Sequence, residues 1–462
     1  MIRILSVFAV LLVASAAATE PYADYMQARL ALGHFNGSVG VYQNGEPLFE
    51  GGYGWSDLEF TTEAQADTRY AVASITKQFT AVAVLQLQEA GRLRLGDSIC
   101  LHLTPCPEGW RPITIQHLLQ HESGLVDYEE PRGLGSPDYL AFVVKPDHID
   151  RIVSEAAEAP LEFTPGTRFH YSNTGYVVLS RMIEQVSGET FDAYMRGHVL
   201  EPAGMTQSSI IGSAVASRLA HGYELAGQNL RRYAEGRDIR SGADIRPAVM
   251  GRFSGAHGDA NLVSTVGDLA RWTRALKSGR LISAQSLEMM LTPGRAQYGL
   301  GVEVSVVEGR RRVTHTGGLP GYAARLTWYP DEDLTIAVLS NLTGSQFSRV
   351  SNDLEAITRG QPYTQPRAYR IVDLPQETLG LLAGAYAMPN GEASITLTEN
   401  GLEYRAPGGA RALLMPLGPT SFYVPLVEGE MTLDGQALVL RYRGIEAHGR
   451  RVTEGGGGAA GS

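Results

Sequence analysis

The stretch from Ser74 to Ala90 most constrains what this chain can fold into. It carries Ile75, Phe79, Val82, Val84, Leu85 and Leu87 and meets no Gly or Pro before Gly91, so it reads as a helix that is apolar on most sides. Such a helix has no face to give to water and must lie inside a domain large enough to enclose it. Its first turn holds Ser74-Ile75-Thr76-Lys77. Positions i and i+3 share one face of an α-helix, so the Lys77 amine can reach the Ser74 hydroxyl and help remove its proton. A helix N-terminus also presents unpaired N–H groups and the positive end of the dipole, which favours negative charge developing there. Four-residue patterns arise by chance, however, and this one takes its weight from its company in the chain.

Two further segments come downstream, Tyr171-Ser172-Asn173 and then His315-Thr316-Gly317-Gly318. Around them stand His117-Leu118-Leu119-Gln120-His121-Glu122-Ser123-Gly124-Leu125, Pro165-Gly166, and Leu262-Val263-Ser264-Thr265 with Asp268-Leu269. In this order the set resembles the serine β-lactamase and penicillin-binding-protein superfamily, from about Phe35 to about Thr343. The resemblance implies an α/β (α+β) fold of β-lactamase/transpeptidase type, with an antiparallel sheet flanked by helices and an all-helical part. It implies Ser74 as a nucleophile that forms an acyl-enzyme, with Lys77 and Tyr171 sharing the proton transfers. Asn173, His315, Thr316 and Gly317 would contact substrate, and the backbone N–H groups of Ser74 and Gly318 would form the oxyanion hole.

Elementary chemistry sets conditions on these roles. A free lysine titrates near 10.4, so a neutral Lys77 at pH 7 needs a lowering of about three units, roughly 4 kcal/mol, with burial and nearby dipoles as the expected source. Gly317 and Gly318 are expected to clear the strand edge for substrate, where a β-carbon would intrude. His315 departs from the Lys-Thr-Gly of most β-lactamases and resembles the His-Thr-Gly of some S12-type D-Ala-D-Ala carboxypeptidases, D-aminopeptidases and esterases. A lysine offers a substrate carboxylate a full charge, whereas a histidine is mostly neutral at pH 7. The expected activity is therefore hydrolysis of small peptides or amides, including those with D-configured residues. Carboxylesterase or β-lactamase activity at the same site is the first alternative. The second is a catalytically weak module that binds penicillin or cell-wall peptide, against which the intact Ser74, Lys77, Tyr171 and Asn173 speak. No cofactor is expected and no metal: His117 and His121 lie at i, i+4 beside Glu122, but not in the H-E-x-x-H order. The G-x-S-x-G elbow of α/β-hydrolases is absent.

The remainder of the chain fits an exported two-domain protein. Arg3, an apolar run from Ile4 to Val13 and Ala16-Ala17-Ala18 have the layout of a signal peptide over residues 1–18, which implies a bacterial periplasmic or secreted location. That run is too short to span a bilayer, and no cysteine stands at the expected mature N-terminus to carry a lipid anchor. Cys100 and Cys106 are the only cysteines and, in an oxidising compartment, can pair. A net charge of −10 with no long Lys/Arg run argues against nucleic acid. The hydrolase domain is expected over 19–360. Pro362 and Pro366 mark a linker over 361–374, and a second domain over 375–454 carries short apolar runs separated by Asn400-Gly401, Gly408-Gly409 and Asp434-Gly435. That texture predicts a small antiparallel β-barrel, and it resembles the lipocalin-like C-terminal domain of some superfamily members. A Gly-rich tail occupies 455–462.

Overall fold

The structure is a computed structural model that describes residues 19–133, 136–143, 145, 148–211, 216–225, 230–236, 245–248 and 257–452. The expected signal segment and the tail lie outside these residues. The chain divides into two compact units, one of Phe35–Ala226 with Ile245–Asn352, the other of Met1–His34, Gly227–Asp244 and Asp353–Ser462.

The first unit is built on a six-stranded antiparallel sheet of β1 (Gly37–Gln43), β2 (Glu46–Tyr53), β3 (Glu303–Val307), β4 (Arg310–Leu319), β5 (Tyr322–Tyr329) and β6 (Leu334–Ser340), in the order β3-β4-β5-β6-β1-β2. β1 and β2 are joined at Asn44-Gly45, both with positive φ (55° and 79°), the two-residue turn whose twist suits a hairpin. β1 also pairs with β6 in the register Val39↔Val338, so the sheet joins segments some 300 residues apart. Against it lies α1 (Thr76–Glu89), which follows a single 3₁₀ turn, Ala73–Ile75. Phe79, Val82, Val84 and Leu85 are fully buried, as an all-round apolar helix requires. Each such side chain contributes roughly 1.5–3 kcal/mol on leaving water. Two further helices complete the frame, α2 (Asn173–Ser187) and α3 (Val266–Lys277). Trp272 of α3 stacks on Phe79 at 3.8 Å and donates its indole N–H to Gln78 at 2.6 Å, which fixes the rotation of α1. Cys100 and Cys106 are joined as a disulfide.

The second unit contains a helix over residues 19–31 and a nine-stranded sheet that is nearly closed. Closure comes from one continuous stretch. Arg411–Leu413 pairs with Gly401–Arg405, and two residues later Met415–Pro416 pairs with Ser421–Val424. Tyr386, Ile395, Phe422, Val424, Met431 and Leu438 fill the interior. Within the same unit Arg29 is fully buried, donating to both oxygens of Glu428 at 2.7 and 2.6 Å, to Tyr25 at 2.9 Å and to Asp353 at 3.3 Å. Its five N–H donors explain why an arginine is tolerated there. No helix among the described residues is long and apolar enough to cross a membrane.

Candidate active site

Ser74 sits in the 3₁₀ turn that leads into α1, and the residue before it is held in an unusual conformation. Ala73 has φ +48°, a left-handed value that a residue with a β-carbon adopts only when its surroundings impose it. They do so here. The Thr76 hydroxyl donates to the Ala73 carbonyl at 2.7 Å and accepts from Leu262 N–H at 3.1 Å, while Val72 N–H bonds Leu262 O at 2.9 Å. Thus the Leu262-Val263-Ser264 segment is the strand against which the Ser74 turn is formed.

Lys77 is fully buried one turn on, and its Nζ has three acceptors, Ser74 Oγ at 3.0 Å, Asn173 Oδ1 at 2.7 Å and the Asp259 carbonyl at 3.1 Å. Three acceptors satisfy an ammonium completely. Burial pulls its pKa down, but Tyr171 and Asp259, with Glu129 behind them, more than offset this and hold Lys77 above the ordinary lysine range. The expectation that burial would make Lys77 neutral is therefore corrected: the resting site keeps an ammonium, because Tyr171 first and then Asp259 and Glu129 outweigh desolvation. The same geometry still permits proton transfer. Asn173 Oδ1 and the Asp259 carbonyl can only accept, so on a neutral Lys77 the lone pair is left to the groups able to donate, the Ser74 hydroxyl at 3.0 Å and the hydroxyl of Tyr171.

The carboxylates behind Lys77 were not singled out from the sequence. Asp259 is fully buried, accepts from the Tyr128 hydroxyl at 3.0 Å, and is pushed up to about 6 by burial against the opposing pull of Lys77. Glu129 is pushed up to about 7, by burial first and then by Asp259 and Asp127. Asp127 accepts the N–H of Asn173 at the start of α2 and that of Glu129, which fixes the asparagine that holds Lys77.

Tyr171 belongs to a loop pinned by the His121 segment. Ser172 N–H donates to His121 Nδ1 at 3.0 Å, and His170 N–H donates to His121 O at 2.9 Å. The His121 ring lies 4.2 Å from the Tyr171 ring, and Lys77 Nζ lies 4.9 Å from the centre of the latter. His117 serves a different element, its Nδ1 accepting from Thr114 N–H where the Ile115–Leu119 helix begins. The two histidines of the segment are therefore backbone-bonding groups at separate places.

β4 reaches the site beside Ser74. Its pairing with β3 ends at Thr314, so from His315 to Leu319 no described strand covers that edge, and an extended substrate backbone can lie along it. Gly317 has a purpose other than the one expected for it. A β-carbon there would lie 2.1 Å from the Val72 carbonyl, so its absence lets β4 approach the Ser74 turn rather than making room for substrate. At Gly318 nothing lies within 4 Å of a β-carbon, and this position faces open space. Thr316 is half-buried on the same stretch. His315 is buried, its Nδ1–H donating to Thr316 O at 2.6 Å and its Nε2 accepting from the Tyr298 hydroxyl at 2.9 Å. Burial, then the Lys77 charge, lower its pKa to about 4. Both ring nitrogens are committed within the protein and the imidazole is neutral at pH 7.

A family model described as Beta-lactamase matches residues 17–359. The chain is 29% identical over 430 residues to Penicillin-binding protein 4* of Bacillus subtilis (strain 168), an alignment covering 87% of this chain and 91% of that one. Among solved structures it is similar to an octameric penicillin-binding protein homologue from Pyrococcus abyssi, with 25% identity, a TM-score of 0.63, and coverage of 89% of this chain and 95% of the other. It is also similar to a D-stereospecific amidohydrolase from Streptomyces sp., with 26% identity, a TM-score of 0.58, and coverage of 74% and 99%.

Proposed function

Since this chain belongs to the β-lactamase family of serine hydrolases, we propose that it acylates Ser74 with peptide or amide substrates, including those built from D-configured residues, and hydrolyses the acyl-enzyme. The observation that carries this reading is the Lys77 ammonium, buried, 3.0 Å from Ser74 Oγ and locked by Asn173 and the Asp259 carbonyl. A charge fixed there favours the Ser74 alkoxide. Because Lys77 rests protonated, Tyr171 in its phenolate form takes the serine proton as the nucleophile adds and returns it to the leaving amine, while the Lys77 charge stabilises both the phenolate and the Ser74 alkoxide. Ser74 and Gly318 N–H are assigned to the developing oxyanion. The similarity to the D-stereospecific amidohydrolase from Streptomyces sp. supports the substrate class.

His315 argues against β-lactam hydrolysis as the main activity, since a neutral imidazole engaged at both nitrogens offers no charge to a substrate carboxylate. The signal layout of residues 1–18 supports an exported enzyme in the periplasm or outside the cell. The test is a panel of D- and L-aminoacyl amides, D-Ala-D-Ala peptides, p-nitrophenyl esters and a chromogenic cephalosporin. Amide turnover exceeding that of the cephalosporin supports the reading, and the reverse order contradicts it.

A further inference from the structure

The Thr316–Gly318 stretch of β4 lines a compartment of about 360 Å³ whose further walls are Leu319, Tyr322, Thr343, Phe347 and Glu224. Its walls are held firmly. Leu342–Thr343 pairs in parallel with Tyr223–Leu225, placing Glu224 opposite Thr343. The Thr343 hydroxyl accepts from Gly321 N–H at 2.7 Å, and the Tyr322 hydroxyl donates to Ala220 O at 2.5 Å. Gly222 and Gly321 approach so closely that a β-carbon on Gly321 would lie 2.8 Å from the Gly222 Cα. A side chain set on such a frame is fixed relative to the catalytic strand.

Glu224 is the one charged residue among the described residues that line this compartment. Arg246 pairs with it, but both of its bonds, at 3.1 and 2.9 Å, fall on Oε2, so among the described residues the lone pairs of Oε1 are left for a ligand. The Arg246 side chain is 69% exposed, whereas that of Glu224 is 25% exposed. An ammonium brought in by substrate would be paired by a carboxylate in a partly apolar cavity. A carboxylate brought in would meet repulsion.

We propose that this compartment is a substrate subsite for a compact apolar group bearing a protonated primary amine, with Glu224 as the residue that selects it. The inference rests on the hydrolase reading and adds to it the class of substrate accepted: aminoacyl amides with a free amine over their N-acylated or carboxylate-bearing counterparts. A substrate backbone extended along His315–Leu319 carries its amine past Gly318 toward Oε1, with its side chain against Phe347 and Tyr322.

The test compares the full chain with E224Q and R246Q, measuring kcat/KM for D- and L-alanine p-nitroanilide and for their N-acetyl forms, alongside labelling of Ser74 by a fluorophosphonate. Wild type should favour the free amine, and in E224Q the ratio of free to acetylated rates should fall about tenfold, through KM, as for loss of one charged hydrogen bond. Removing the exposed counter-ion in R246Q should raise the ratio. A ratio in E224Q within roughly twofold of wild type, a wild-type preference for the acetylated anilide, or a ratio lowered by R246Q overturns the assignment. Labelled protein that turns over neither anilide overturns the subsite while leaving Ser74 in place. Protein that takes no label overturns the hydrolase reading itself.

Discussion

Gly317 is the position at which the arrangement of the site can be tested most sharply by a single added carbon. A β-carbon at Gly317 would sit 2.1 Å from the carbonyl oxygen of Val72, and ordinary contact begins near 3.4 Å. The obstacle is backbone on both sides, so no side chain can swing away; β4 and the Ser74 turn must separate by more than 1 Å. Val72 is also tied to Leu262 at 2.9 Å, which resists movement of the turn. Overpacking of this kind costs about 1–3 kcal/mol of stability. A displacement of about 1 Å between reacting groups costs on the order of 10²-fold in rate. Gly317→Ala is therefore expected to lose about 1–3 kcal/mol in urea unfolding and to be labelled by a fluorophosphonate about 100-fold more slowly. Gly318→Ala is the internal control, since nothing lies within 4 Å of its β-carbon. It should unfold like wild type and, because it faces the cleft, lose turnover of peptide-length substrates more than labelling by a small probe. A Gly317→Ala protein with wild-type stability and labelling rate would refute the close approach of β4 to the nucleophile.

Replacing Lys77 by Met keeps most of the buried volume while removing the charge, and acylation measured by stopped-flow labelling should fall at least about 10²-fold; an unchanged rate would remove Lys77 from proton transfer. Asp259 titrates near 6 when folded and near 3.8 otherwise, so the folded state binds the extra proton. Its stabilising contribution is thus present below pH 4 and is lost as pH rises to about 6, by roughly 3 kcal/mol. Urea titrations of Asp259→Asn should lack that loss, and a pH dependence identical to wild type would show that Asp259 is not the buried acid described. In the other unit, Arg29→Met removes the guanidinium that bonds both oxygens of buried Glu428, while Asp353 keeps Arg443 at 2.6 Å, and should cost about 3–5 kcal/mol in that unit's unfolding. A smaller cost than that of a surface charge deletion would mean the pair is solvated.

The helix from Ser74 was legible because its apolar residues occupy every face, a pattern that only burial explains, and the structure encloses Phe79 and Val82 accordingly. The β1–β2 hairpin was legible from Asn44-Gly45, since few dipeptides accept positive φ twice in succession. The barrel was visible from short apolar runs spaced by Asn400-Gly401, Gly408-Gly409 and Asp434-Gly435. Ile445–Arg451 escaped notice, because its sequence Ile-Glu-Ala-His-Gly-Arg-Arg is largely exposed and carries no apolar run. Within the site, Ser74 and Lys77 were readable from their i, i+3 spacing and Asn173 from the family resemblance, and the structure brings them together. Asp259, Glu129 and Tyr298 were not, since their roles depend on distances between segments far apart in the chain. His121 stood in a recognised segment, but only folding shows that its Nδ1 holds the Tyr171 loop. The charge state of Lys77 is illegible for the same reason: burial can be anticipated from sequence, whereas the combined pull of Tyr171, Asp259 and Glu129 that outweighs it depends on folding.

The central claim is that Ser74 is the acylated nucleophile. Intact-mass analysis and peptide mapping after incubation with a fluorophosphonate, on wild type and Ser74→Ala, address it directly. A single adduct on the peptide containing Ser74, absent in the variant together with all amide turnover, is the expected result. An adduct on another residue, or turnover that survives in Ser74→Ala, would contradict the account.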